Sequence, residues 1–154
     1  MILFLDYDGV LHPDSAYLIK GRPVLKSEGD LFMWAPLLVE ALADKPHVQI
    51  VLSTSWTRVF GFDEACAFLP DALRHRVTGE TGYTLGYQSK YRQISNYLGS
   101  INSPKEWLAL EDKADDWYAG HLDNLVLTNG ATGLSDPRVM NLLKNKLTDY
   151  DFIS

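Results

Sequence analysis

The chain has 154 residues, 46% of them hydrophobic, and a formal charge of −6. One domain spanning 1–154 is the economical reading, long enough to bury a core without disulfides or a structural metal. The acidic balance excludes a broad basic face for polyanions, the single cysteine, Cys66, excludes an internal disulfide, and no apolar stretch reaches the ~18 residues of a membrane span.

The apolar start has no basic region before it and is interrupted at Asp6, so no signal peptide is expected, and a cytoplasmic, reducing setting suits the lone thiol. Ile2-Leu3-Phe4-Leu5 has the unbroken apolar pattern of a strand buried on both faces, and it runs straight into Asp6-Tyr7-Asp8-Gly9-Val10-Leu11. Residues 12–30 mix Pro13, Gly21, Pro23 and Gly29 with short apolar stretches, which predicts a loop or small β-flap within an insert at about 12–33. Residues 34–43 have helical spacing, with Pro36 tolerated in the first turn. A second buried strand at 48–52 ends in Ser53-Thr54-Ser55. A short helix is expected at 62–69 with Cys66 packed inside it, a strand at 74–78, a glycine-rich loop at 79–86 and a helix at 91–98. The apolar run 107–110 reads as a strand ending in Glu111-Asp112, and 125–127 as another. Asp136 caps a helix that opens on Pro137 and continues to 147.

Alternating strands and helices predict an α/β fold: a Rossmann-like three-layer sandwich around a mainly parallel five-stranded sheet. Ligands of such sheets sit beyond the carboxyl ends of the strands, which is where Asp6/Asp8, Ser53/Thr54 and Glu111/Asp112 fall. Clustered carboxylates repel one another unless a cation sits between them, and a hard divalent ion with oxygen ligands is the usual answer. Phosphoryl transfer needs such an ion together with a nucleophile, a proton shuttle and donors for the phosphate oxygens. Asp6 is the candidate nucleophile; Asp8 is the candidate acid and base, with its backbone carbonyl available to metal. Gly9 permits a sharp turn straight afterwards, and a plain hairpin turn at Asp8-Gly9 is the competing reading. Ser53 or Thr54 donates a hydroxyl to phosphate, unless these hydroxyls, or that of Ser55, cap a helix. Trp56 reads as core or rim packing, with a substrate platform as the alternative, and Arg58 as reaching an anionic ligand or solvent. Lys90 or Arg92 supplies a fixed positive charge. Glu111 and Asp112 complete a metal site with Asp6 and Asp8, while Asp115 and Asp116, one turn further on, either support those ligands from behind or are simply exposed. His12, one residue before Pro13, reads as a loop histidine without partners, His47, His75 and His121 show no metal-ligand spacing, and Phe32, Trp34 and Tyr87 read mainly as packing, with contact to a base or a partner as the alternative.

These residues resemble the haloacid dehalogenase (HAD) superfamily. Asp6-x-Asp8-Gly9-Val10-Leu11, Ser53, Lys90 and Glu111-Asp112 stand in the order of its four motifs. The runs Ile50-Val51-Leu52-Ser53-Thr54-Ser55-Trp56 and Trp107-Leu108-Ala109-Leu110-Glu111-Asp112, with Gly133-Leu134 after the last strand, are similar to small HAD domains found alone in bacteria and phages or fused into RNA-repair proteins. The resemblance implies Mg²⁺ dependence, an aspartyl-phosphate intermediate and phosphatase activity. It also implies a minimal cap, with an open site that suits a macromolecular substrate or closure by a partner protein or oligomer. Phosphorylated substrates, with nucleotides and nucleic-acid ends among them, are therefore expected, and no membrane. The alternatives are a 5′-deoxyribonucleotidase-like enzyme and a non-catalytic, metal-dependent regulatory domain.

Overall fold

Four consecutive apolar residues need cover on both sides. Ile2–Leu5 finds it as β1, the central strand of a computed structural model that describes residues 1–82, 88–101 and 106–151. After β1 come a hairpin of β2 (Ala16–Ile19) and β3 (Arg22–Leu25), helix α1 (Ala35–Leu42) and β4 (Gln49–Leu52). Three short helices follow, α2 (Trp56–Phe60), α3 (Phe62–Ala67) and α4 (Asp71–Arg74), and then β5 (Val77–Glu80). The chain continues through α5 (Lys90–Ser100), β6 (Trp107–Glu111), β7 (Leu125–Leu127) and α6 (Pro137–Asp151). The main sheet has the order β5-β4-β1-β6-β7 with every pairing parallel, so the fold is the expected α/β, Rossmann-like sandwich.

Side chains alternate across β1 and define the two outer layers. Leu3 and Leu5 join Ile50, Leu52, Leu108 and Leu110 on the face covered by α1, α3 and α6, where Cys66 is also buried. Ile2 and Phe4 join Val51, Trp107 and Ala109 on the opposite face, under Ile94 of α5. Among the described residues no helix is long and apolar enough to cross a membrane.

Several boundaries differ from expectation. The strand placed at 74–78 lies at Val77–Glu80, because Pro70 leads into the single turn of α4 and makes Arg74 helical. Gly79 and Glu80 are consequently strand rather than loop, and residues 83–87, including Tyr87, lie outside the described residues. The flap is a tight hairpin whose turn residues Lys20 and Gly21 both hold positive φ (51° and 77°), the mirror-image turn that matches strand twist. Helix α2 follows β4 directly, with no side-chain cap from Ser55. The final helix runs on to Asp151, past the expected end at 147.

Candidate active site

Register brings the site together. Leu5 pairs with Leu52 on one side and Leu110 on the other, so the next residues of the three strands, Asp6, Ser53 and Glu111, emerge abreast. The ladder continues one step past the apolar cores: Ser53 N–H donates to Leu5 O at 2.8 Å and Asp6 N–H to Leu110 O at 3.2 Å. Asp6, Ser53, Thr54 and Glu111 are all buried.

Asp6, Glu111 and Asp112 each offer a carboxylate oxygen, and the three oxygens lie within 4.8 Å of one another. Lys90, at the first turn of α5, reaches in with Nζ 3.6 Å from Asp6 Oδ1 and 3.7 Å from Glu111 Oε2, and it donates to the Ser53 carbonyl. Burial alone would lower the Lys90 pKa; the charges of Asp6, Glu111 and Asp112 outweigh it and raise the value. For Glu111, burial and then the Asp6 charge push the carboxyl up to about 11, with Lys90 opposing. Asp112 is raised mainly by burial and also by Asp6, against its hydrogen bond with Glu111. Three carboxylates gathered around one ammonium leave an excess of buried negative charge. An all-oxygen donor set with that excess fits a hard divalent cation. Asp6, Glu111 and Asp112 are thus the side chains able to hold one.

Backbone close approach shapes the same corner. Gly9 holds φ +76°, and a β-carbon built there would fall 2.6 Å from Asp112 Cγ, so the residue after Asp8 has to be glycine. Thr128 Oγ1 donates to the Gly9 carbonyl at 2.6 Å and fastens this turn to the loop after β7. Gly133 plays a comparable part further out: its β-carbon would meet the Trp34 ring at 2.6 Å, and Leu134 N–H donates to Val10 O at 3.1 Å.

The two hydroxyls after β4 have different surroundings. Ser53 Oγ is buried with no hydrogen-bond partner, whereas Thr54 Oγ1 accepts the Trp56 N–H at 3.3 Å at the start of α2. Arg92 on α5 and Arg58 on α2 are exposed, and the exposed Asp115 and Asp116 lie outside the carboxylate cluster. The Asp8 side chain also stands outside that group. His12 Nε2 lies 2.9 Å from Asp8 Oδ1, and Trp56 Nε1 donates to Asp8 Oδ2 at 3.0 Å. His12 is completely buried, contrary to the reading of a partnerless loop histidine, and Trp56 is more than packing. Tyr7 is buried too, its hydroxyl tied to Ala65 O at 2.8 Å and its pKa raised by burial. One local signal pointed to His12: the Gly9 turn reverses the chain and sets it beside Asp8.

A groove of about 120 Å³ runs between the hairpin and α2, lined by Asp8, Tyr17, Leu18, Trp56 and Phe60 among others. Its hairpin wall is apolar yet open, with Tyr17 and Leu18 53% and 56% exposed. No curated protein and no solved structure matches the chain. The family described as the HAD domain in Swiss Army Knife RNA repair proteins matches residues 2–139, and with that span, on this parallel sheet, the chain belongs to that family of HAD domains.

Proposed function

We propose that this domain is a Mg²⁺-dependent phosphomonoesterase that works through a phosphorylated Asp6. The observation that carries the reading is the trio of oxygens from Asp6, Glu111 and Asp112 within 4.8 Å, beside Lys90, at the ends of adjacent strands. Family membership supports phosphohydrolase chemistry in general terms. In this reading 1–154 act as one catalytic domain in a reducing cytoplasm, and the hairpin of the insert at about 12–33 leaves the site open. The family's printed description makes nucleic-acid ends, alongside nucleotides, the first substrates to try.

The Asp6 carboxylate accepts the Tyr7 N–H at 2.8 Å on Oδ1, which fixes its orientation for attack on phosphorus. As the new O–P bond forms, the bond to the leaving oxygen breaks, and Asp8 gives that oxygen a proton. Asp8 then takes a proton from the water that hydrolyses the aspartyl-phosphate, releasing phosphate and restoring both carboxyls. Ser53 Oγ, with nothing else to bond, donates to a phosphate oxygen in preference to the engaged Thr54 hydroxyl. Lys90, with Nζ 3.6 Å from Asp6 Oδ1, balances charge on Asp6 and the phosphate, and the exposed Arg58 and Arg92 are left to more distant parts of a substrate. When bound through Asp6, Glu111, Asp112 and the Asp8 carbonyl, Mg²⁺ supplies neutralisation of phosphate charge.

Phosphate release from a panel of phosphomonoesters with Mg²⁺ tests the reading. Asp6→Asn is expected to lose roughly a thousandfold or more in turnover while keeping its circular dichroism and melting behaviour. An inactive wild-type protein, or a fully active variant, would remove the proposal.

A further inference from the structure

Asp8 is held at both carboxylate oxygens by N–H donors from two separate parts of the chain. His12 comes from the turn after β1, at 2.9 Å from Oδ1, and Trp56 from the start of α2, at 3.0 Å from Oδ2. The histidine has little freedom. Phe32 N–H points at Nδ1 from 3.2 Å, so Nδ1 holds the lone pair and Nε2 the proton that goes to Asp8. The Phe32 and Trp56 rings pack on the imidazole at 4.9 Å and 5.5 Å. Gly9 N–H donates to the His12 carbonyl at 2.9 Å and holds the backbone in place. Phe32 itself sits at φ +60°, a conformation rare for a residue with a side chain, in the position from which its N–H meets the ring.

The carboxylate clamped in this way is not sealed off. Its side chain is 33% exposed, and Asp8 lines the groove between the hairpin and α2. Each oxygen has one lone-pair direction taken by an N–H donor, Trp56 Nε1–H on Oδ2 and, with Phe32 N–H on Nδ1, His12 Nε2–H on Oδ1, so a proton on Asp8 has to occupy a direction left open.

We infer that His12 and Trp56 are positioning residues that aim the Asp8 carboxyl into this groove, and that the groove seats the leaving group of the phosphoester. The inference rests on the phosphatase reading above. The proton passes from Asp8 to the departing oxygen as the P–O bond breaks and returns to Asp8 from the attacking water. The apolar wall of Tyr17, Leu18, Trp56 and Phe60 favours leaving groups with a flat or apolar body over small polar alcohols.

The dependence of rate on leaving group separates positioning from simple structural support. A good leaving group, such as 4-nitrophenolate, departs without a proton, whereas an alkoxide needs one. Trp56→Phe keeps a ring in the aromatic cluster and deletes the N–H; His12→Phe deletes the other donor, and His12→Gln retains an amide donor. With Mg²⁺, Trp56→Phe and His12→Phe are expected to lose roughly a hundredfold in kcat/KM on alkyl phosphates and no more than about threefold on 4-nitrophenyl phosphate, with partial recovery in His12→Gln; kcat/KM reports the steps up to departure of the leaving group and not the later hydrolysis that both substrate classes share. Tyr17→Ala is expected to raise KM for aryl phosphates several-fold more than for methyl phosphate. Should His12→Phe fail to fold, Trp56→Phe carries the test alone. Equal losses in kcat/KM on both substrate classes in an active background would overturn the positioning role, and equal KM changes would overturn the seat. A wild-type protein inactive on every phosphoester would instead bring down the phosphatase reading, and this inference with it.

Discussion

Ser53 shows how a local cost marks a site. A buried hydroxyl without a partner costs about 1–3 kcal/mol relative to one that is bonded, and among the described residues Ser53 Oγ is the buried side-chain atom in that position. Its neighbour Thr54, equally buried, spends its hydroxyl on the first turn of α2. Ser53→Ala is therefore expected to leave the resting protein as stable as before, or up to about 1 kcal/mol more so, because it removes an unmet demand. The same change is expected to lower kcat/KM by roughly a hundredfold, the usual consequence of losing one donor to a charged reacting oxygen. Denaturant melts and steady-state kinetics on one preparation give both numbers. A variant that loses stability and keeps its activity would show that Ser53 serves the fold.

At the level of elements, one side chain braces the end of β4 remote from the site. Arg76, just before β5, donates to the carbonyls of Leu42, Lys45 and Val48 at 2.7, 2.6 and 3.1 Å, so it closes the carboxyl end of α1 against the entry to β4. Arg76→Ala is expected to cost about 2 kcal/mol, a fall in Tm of about 5 °C for a chain of this size. Because those carbonyls lie at the opposite end of β4 from Ser53, kcat is expected to be unchanged; a drop in kcat larger than the loss of folded protein would contradict this. Arg76 also marks the limit of what the residues told in advance. The strands ending at Asp6, Ser53 and Glu111 were legible because each is an apolar run stopped abruptly by polar residues, a signal contained in the run itself. The Arg76 clamp depends on carbonyls 28 to 34 residues away and leaves no periodic trace, whereas β5 is displaced by a nearer cause, the α4 turn that Pro70 leads into. The contact between His12 and Trp56 is of the distant kind: they are 44 residues apart in sequence and meet only because β1 and β4 are neighbours in the sheet.

On the scale of the whole molecule, the chain keeps a formal charge of −6 and concentrates part of its negative charge in a buried cluster with Lys90 as the facing cation. Without metal, Glu111 has its pKa pushed up to about 11 from an ordinary 4.5, burial first and the Asp6 charge second. Between those values the folded state holds a proton that the unfolded chain has released, so this group makes stability fall as pH rises. The upward shift of Asp112 acts in the same direction just above its ordinary 3.8. Lys90 adds no slope there: its pKa is raised from 10.5, so it is protonated in both states, and its contribution is lost only at higher pH. Glu111→Gln has no such proton to hold. Measured in chelator, its stability relative to wild type is expected to improve steadily from about pH 5 to about pH 9. A divalent ion binds the ionised carboxylates and displaces the proton, so stabilisation by added Mg²⁺ is expected to grow over the same range in wild type and to shrink in Glu111→Gln. Thermal melts across pH, with chelator and with Mg²⁺, give all four curves. Parallel curves for wild type and Glu111→Gln in chelator would mean that the cluster releases its protons without a metal, and that Lys90 alone suffices to hold three carboxylates together.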